Sequence, residues 1–185
     1  MRATPTALPE VLMLEPERHE DARGAFMEIW RADKLGAAGI SAHIVQTNLT
    51  TSRKGVIRGL HFQEPNAQDK LISVLSGAIF DVAVDIRRGS PHFGRWVGVE
   101  LSAANRLQLW IPRGFAHGFC ALTEDAQVEY ACTDYYTPAH DRTVRWDDPA
   151  IGVAWPVTAP ILSAKDEAAR LLADASVLPV YKAAP

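Results

Sequence analysis

The chain has 185 residues, 48% of them hydrophobic and 22% charged, with a formal net charge of -3. Its Lys and Arg are scattered, which gives no footprint for nucleic acid, and no apolar run approaches the roughly 20 residues needed to cross a bilayer. Residues 1–5 lack the apolar core of a signal peptide, and Cys120 and Cys132 are too few and too far apart for a disulfide framework or a zinc knuckle. A soluble, cytoplasmic, single-domain protein over residues 1–185 is the expectation, with each cysteine a small buried apolar residue.

In chain order, a short helix is predicted over residues 31–38, closed near Gly36 and Gly39. Strands follow over residues 57–63 and 71–75. Phe80, Val82, Val84 and Ile86 then alternate with Asp81, Ala83, Asp85 and Arg87, the period of a half-buried strand. Further strand-like runs cover residues 96–101, 107–111, 118–122, 127–133 and 143–146. Ser76-Gly77, Arg88-Gly89-Ser90-Pro91, Ala104-Asn105, Pro112-Arg113-Gly114 and Glu124-Asp125 supply the turns between them. Ser163 opens a capping-box-like start to a helix over residues 167–173. Short strands about ten residues apart, without long helical crossovers, predict a mainly β protein: an antiparallel sandwich or barrel with short terminal helices.

The polar residues on these strands divide less cleanly. In residues 57–63, alternation places Ile57, Gly59, His61 and Gln63 on one face and Arg58, Leu60 and Phe62 on the other. Arg58 and His61 can serve one pocket only if the strand bulges, and Gly59 is the place for it. A lone strand histidine is usually a hydrogen-bonded core residue, but an arginine three residues away needs an anionic partner and tips the balance toward a site. His117 is a rim turn residue or a site residue with equal claim. Tyr130 alternates with Val128 and Cys132, so packing is its simpler account. Lys70 reads as an exposed strand-end lysine. Asp166 reads as a cap residue, against the alternative that it orients His61.

Pro112-x-Gly114-x-x-His117 looks like the second motif of cupin barrels, whose metal-binding members usually carry His-x-His and a downstream Glu where this chain has His61-Phe62-Gln63. Seven segments in order then carry a more specific likeness. They are Arg23-Gly24-Ala25-Phe26-Met27-Glu28, Gln46-Thr47-Asn48, residues 57–63, residues 80–87, Gln108-Leu109-Trp110-Ile111-Pro112, Thr133-Asp134-Tyr135-Tyr136 and Arg145-Trp146-Asp147-Asp148-Pro149. From Arg23 to Asp166 the chain resembles the dTDP-4-dehydrorhamnose 3,5-epimerases, cupin-type antiparallel jelly rolls acting on dTDP-4-keto-6-deoxyhexoses.

The resemblance implies that His61 is the general base, oriented by Asp166, and that Tyr130 is the acid on the opposite face. It implies that Lys70 and His117 hold the sugar and its enolate, that Arg58 and Lys165 serve the diphosphate, and that Asp141 contacts the ligand. Arg23, Phe26, Glu28, Gln46 and Asn48 would bind substrate on the nucleotide side, with Tyr136 stacking on thymine. No metal and no redox cofactor would be required, and the protein would be a homodimer exchanging N-terminal strands. Three positions depart from the family pattern: Asp69 in place of Gly, which sets a carboxylate beside Lys70, Asp141 in place of Glu, and Met27 in place of an aromatic or aliphatic residue. Inversion of only C3 or only C5, a metal-dependent cupin oxygenase or isomerase using His61 and His117, and a non-catalytic nucleotide-sugar binding module are the competing readings.

Overall fold

The computed structural model describes residues 1–182. Its elements are β1 (Arg2–Pro5), β2 (Leu12–Glu15), β3 (Arg18–Asp21), β4 (Gly24–Met27), α1 (Ala32–Ala37), β5 (Gln46–Ser52) and β6 (Ile57–Gln63). They continue with β7 (Lys70–Ser76), β8 (Ala78–Asp85), β9 (Trp96–Ser102), β10 (Gln108–Ile111), β11 (Phe115–Ala121), β12 (Ala126–Cys132), β13 (Asp141–Thr143) and α2 (Ala164–Glu167). One sheet has the order β1-β2-β10-β7-β12-β5 and a second has β13-β6-β11-β8-β9, while β3 and β4 pair with each other as a separate hairpin. Pairing is antiparallel throughout the two large sheets.

Three apolar layers hold this arrangement. Ile72, Val74, Leu109 and Val128 from the first sheet meet Ile79, Leu101, Phe115 and Phe119 from the second, forming the inner core. Leu35 and Ile40, in and after α1, cover Leu14, Leu71 and Trp110 on the outside of the first sheet. Val144, Ile151 and Leu172 cover Leu60, Phe62, Val82, Val84 and Ile86 on the outside of the second. Each fully buried Leu, Ile or Val contributes about 1.5–3 kcal/mol.

Because both faces of the second sheet are covered, β8 is not the half-buried strand its alternation predicts. Phe80, Val82 and Val84 face the outer layer, while Asp81 and Asp85, both 0% exposed, point inward with Ile79 and Ala83. The predicted helix over residues 167–173 is also corrected. The α-helix is the single turn Ala164–Glu167, and the chain beyond it is drawn into a parallel bridge between Val144 and Arg170. There the Arg145 amide donates to the Arg170 carbonyl at 2.8 Å, and the Leu172 amide donates to Asp148 at 2.6 Å. The final strand starts two residues earlier than expected, at Asp141, because it pairs with β6 from Gln63 onward.

Candidate active site

The bulge required to bring Arg58 and His61 together is present. His117 stands opposite His61 and Phe119 opposite Arg58, so Gly59 and Leu60 on β6 face the single Gly118 on β11. Glycine is needed on both sides of this contact. A Cβ on Gly59 would lie 2.5 Å from Gly118 Cα, and one on Gly118 would lie 2.8 Å from the Arg58 carbonyl oxygen. Gly59 also has φ +136°, a conformation that side-chain-bearing residues rarely adopt. The extra residue shifts the alternation, so Arg58 and His61 both line a cavity of about 460 Å³ between the sheets.

Gln46, Asn48, Arg58, His61, Lys70, His117, Tyr130, Tyr136, Asp141 and Lys165 all line this cavity. Asp166 stands behind His61, its Oδ1 2.5 Å from the imidazole Nε2. The competition between cap and partner resolves in favour of both: the Ser163 hydroxyl accepts from the Asp166 amide at 3.1 Å, leaving the carboxylate free for His61. Burial alone would raise the Asp166 pKa, but bonds from His61, Ser163 and the Gly59 amide hold it below the ordinary carboxylate value. An ionised carboxylate only accepts, so Nε2 carries the proton and Nδ1 is the basic nitrogen.

A second carboxylate–imidazole pair lies deeper. The His117 Nε2 is 2.7 Å from Asp81 Oδ1, with side-chain exposures of 4% and 0%. Burial pushes the Asp81 pKa up, opposed by His117 and Lys70. Asp81 was missing from the sequence-derived site because its alternation with Phe80 and Val82 placed it on the expected solvent face. Lys70 is no exposed strand-end lysine: it lines the cavity, and burial lowers its pKa, with Cys132, Asp141 and Asp81 pulling the other way. Tyr130 comes from the sheet opposite His61, its ring edge-on to His117 at 5.9 Å and tilted against Phe119 at 6.3 Å. Desolvation raises its phenol well above the ordinary value.

At the mouth, Asp141 accepts from the Tyr136 hydroxyl at 3.1 Å and from Lys165 Nζ at 2.5 Å. Arg58 is anchored by donating to Ser52 Oγ at 3.0 Å. Gln63, which the sequence left without a role, fixes the loop that presents Tyr136. Its buried amide donates to the Asn66 and Tyr135 carbonyls at 2.5 and 3.0 Å and accepts from the Thr137 amide at 2.8 Å. Asp69 does not intrude on Lys70. Its carboxylate turns toward Arg113, accepting from the backbone amide at 2.7 Å and from the guanidinium, and also takes the Thr133 hydroxyl at 3.0 Å. Among the described residues, no group of three His, Cys, Asp or Glu gathers to hold a metal ion.

Arg23, Phe26 and Glu28 are not brought to the cavity within one chain. Arg23 and Phe26 lie on the β3–β4 hairpin, where Arg23 pairs with Asp21 and Phe26 is 69% exposed, while Glu28 pairs with Lys34 and Arg31. Met27 sits in the same hairpin, opposite Arg18.

A family model described as dTDP-4-dehydrorhamnose 3,5-epimerase matches residues 5–174. The chain belongs to that family. Within it, the Pseudomonas aeruginosa dTDP-4-dehydrorhamnose 3,5-epimerase is 47% identical over 181 residues, covering 97% of this chain and 100% of the relative. The Neisseria gonorrhoeae protein of the same description is 53% identical over 171 residues, 92% of this chain but 52% of its own length. A crystal structure of the Legionella pneumophila 3,5-epimerase in complex with dTDP-4-keto-L-rhamnose superposes with a TM-score of 0.95 at 47% identity, covering 98% of this chain and 99% of that one. The family's cupin-like jelly roll is therefore the fold of this chain. No helix among the described residues is long and apolar enough to cross a membrane.

Proposed function

We propose that this chain inverts C3, C5 or both in a dTDP-4-keto-6-deoxyhexose, by removing the proton beside the C4 ketone and returning one to the opposite face. The observation that carries this reading is the placement of a paired imidazole, His61, and a half-buried phenol, Tyr130, on opposite sheets across one cavity. Inversion requires a base and an acid on opposite faces of the reacting carbon. Nδ1 of His61 takes the proton, and the C–H electron pair moves onto the ketone as an enolate. Lys70 and His117 are placed to stabilise the oxyanion, a contribution worth several kcal/mol in a water-poor site. Tyr130 then delivers its O–H proton to the far face, and solvent exchange resets both groups.

Arg58 and Lys165 suit the diphosphate, the latter by leaving Asp141 for a more highly charged anion. Tyr136 offers its ring to the base, with Gln46 and Asn48 beside it. The same reading assigns Arg23, Phe26 and Glu28 to the site of a second subunit. Among the described residues, the β3–β4 hairpin pairs with no other strand, and β5 is a sheet edge carrying Gln46, Asn48 and the 57%-exposed Leu49. An open edge accepts added strands, so a homodimer exchanging this hairpin completes the nucleotide side.

The test is deuterium wash-in. With dTDP-4-keto-6-deoxyglucose in heavy water, label enters C3, C5 or both, and no label at either carbon would refute the epimerase reading. The subunit exchange is tested by mixing His61→Asn with Arg23→Ala chains. Recovered activity supports it, and mixtures no better than their components refute it.

A further inference from the structure

Tyr130 must give up its proton in a place where burial disfavours the resulting charge, so something has to meet the phenolate. Its hydroxyl has one hydrogen-bond partner among the described residues, Thr50 Oγ1 at 3.4 Å. The pairing is set by strand register. On β5 and β12, Asn48 stands opposite Tyr130 and Thr50 opposite Val128, which makes Thr50 the diagonal neighbour of Tyr130 on the cavity face. His117 and Phe119 flank the ring, so the hydroxyl stays directed at β5.

We infer that Thr50 is a positioning residue for the protonation step: its hydroxyl donates to the Tyr130 oxygen and steadies the phenolate left when Tyr130 hands its proton to the enolate. This rests on the epimerase reading above. In the step, the Tyr130 O–H bond breaks, a C–H bond forms on the face away from His61, and the phenolate keeps the electron pair until it takes a proton from solvent. A hydrogen bond to a charged oxygen is shorter and stronger than one to a neutral phenol, so the contact tightens as the charge develops. The Thr50 contact also lowers the Tyr130 pKa against the opposing effect of desolvation. The packing account, in which Thr50 is only a β-branched residue filling a strand edge, gives the hydroxyl no role.

The two accounts separate when exchange and inversion are measured together. His61 alone can remove a proton and return a deuteron to the same face, so labelled but uninverted sugar reports the base. Inverted sugar reports Tyr130. Thr50→Val keeps the shape and removes the donor, and it is expected to slow inversion roughly three- to tenfold, the range of one hydrogen bond. Exchange into uninverted sugar should remain within about twofold of wild type. Thr50→Ser should restore inversion, and Thr50→Val should add nothing in a Tyr130→Phe background. The inference is overturned if Thr50→Val leaves inversion intact, slows exchange and inversion alike, or is matched by Thr50→Ser. A wild-type protein with no exchange at all overturns the epimerase reading, and this inference with it.

Discussion

Replacing Asp166 with Asn tests the proposed role of His61 as the base. The carboxylate oxygen lies 2.5 Å from Nε2, and the Asp166 side chain is 3% exposed. When His61 takes the substrate proton, an imidazolium forms beside this carboxylate. Opposite charges about 4 Å apart attract by about 4 kcal/mol at an effective dielectric of 20. The His61 side chain is 31% exposed, so water reduces the benefit to about 2–3 kcal/mol. Asn keeps the size and loses the charge, so kcat should fall roughly 30- to 150-fold with little change in KM. Single-turnover wash-in over pH 5–9 measures this directly. Stability should fall less, by about 1 kcal/mol or roughly 2–4 °C in Tm. The Asp166 pKa is lower folded than unfolded. Its contribution is therefore present above the unfolded value of about 4 and lost as pH falls through the folded one. The melting gap between wild type and variant should close in acid. A kcat within threefold of wild type, or a loss confined to KM, would refute the orienting role.

Asp81→Asn should move stability the opposite way. Burial raises the Asp81 pKa, so its protonated form favours folding, and the wild type loses that advantage as pH rises through the folded value. The variant should melt higher than wild type at pH 7–8, with the difference fading toward pH 4, while turnover falls because His117 loses its charged partner. Parallel melting curves across that range would refute it. Gly59→Ala combines an unfavourable φ of +136° with a Cβ 2.5 Å from Gly118 Cα. Its expected cost is about 2–6 kcal/mol from backbone strain and overpacking. A denaturation midpoint equivalent to less than about 1 kcal/mol of loss would show that the β6–β11 contact is soft.

Arg58, His61 and His117 were legible because they sit in segments whose order and spacing are distinctive, whereas Lys70, Tyr130, Asp141, Lys165 and Asp166 lie between or after those segments and were reached through the resemblance they carry. Lys70 and Tyr130 were better explained singly by exposure and packing, His117 stood evenly between rim and site, and His61 read as a site only beside Arg58; the fold places all four around one cavity. Asp81 escaped because period-2 reasoning assumes one wet face, and C-terminal residues such as Ile151 and Leu172 cover the face of β8 that was taken for the core side. β5 escaped for a related reason. Gln-Thr-Asn-Leu-Thr-Thr-Ser has no apolar alternation, since one face lines a polar cavity and the other lies open. The helix expected over residues 167–173 survives only at its ends, in the α-helical turn Ala164–Glu167 and the 3-10 turn Leu172–Asp174. Between them, local propensity loses to backbone bonds made by Arg170 and Leu172. The Arg58–His61 conflict, by contrast, was visible in the sequence, and Gly59 was the right place to look.

His61 and Tyr130 ride on different sheets, and no hydrogen bond between them fixes their separation. The gap between the proposed base and acid is therefore set by the thickness of the apolar filling, about 10 Å between facing sheets. Ile72, Leu109 and Phe119 would then act as spacers for the proposed reaction as well as ballast for the fold. Turnover becomes a gauge of sheet spacing, so agents that swell or soften the interior should silence this protein while its strands are still paired.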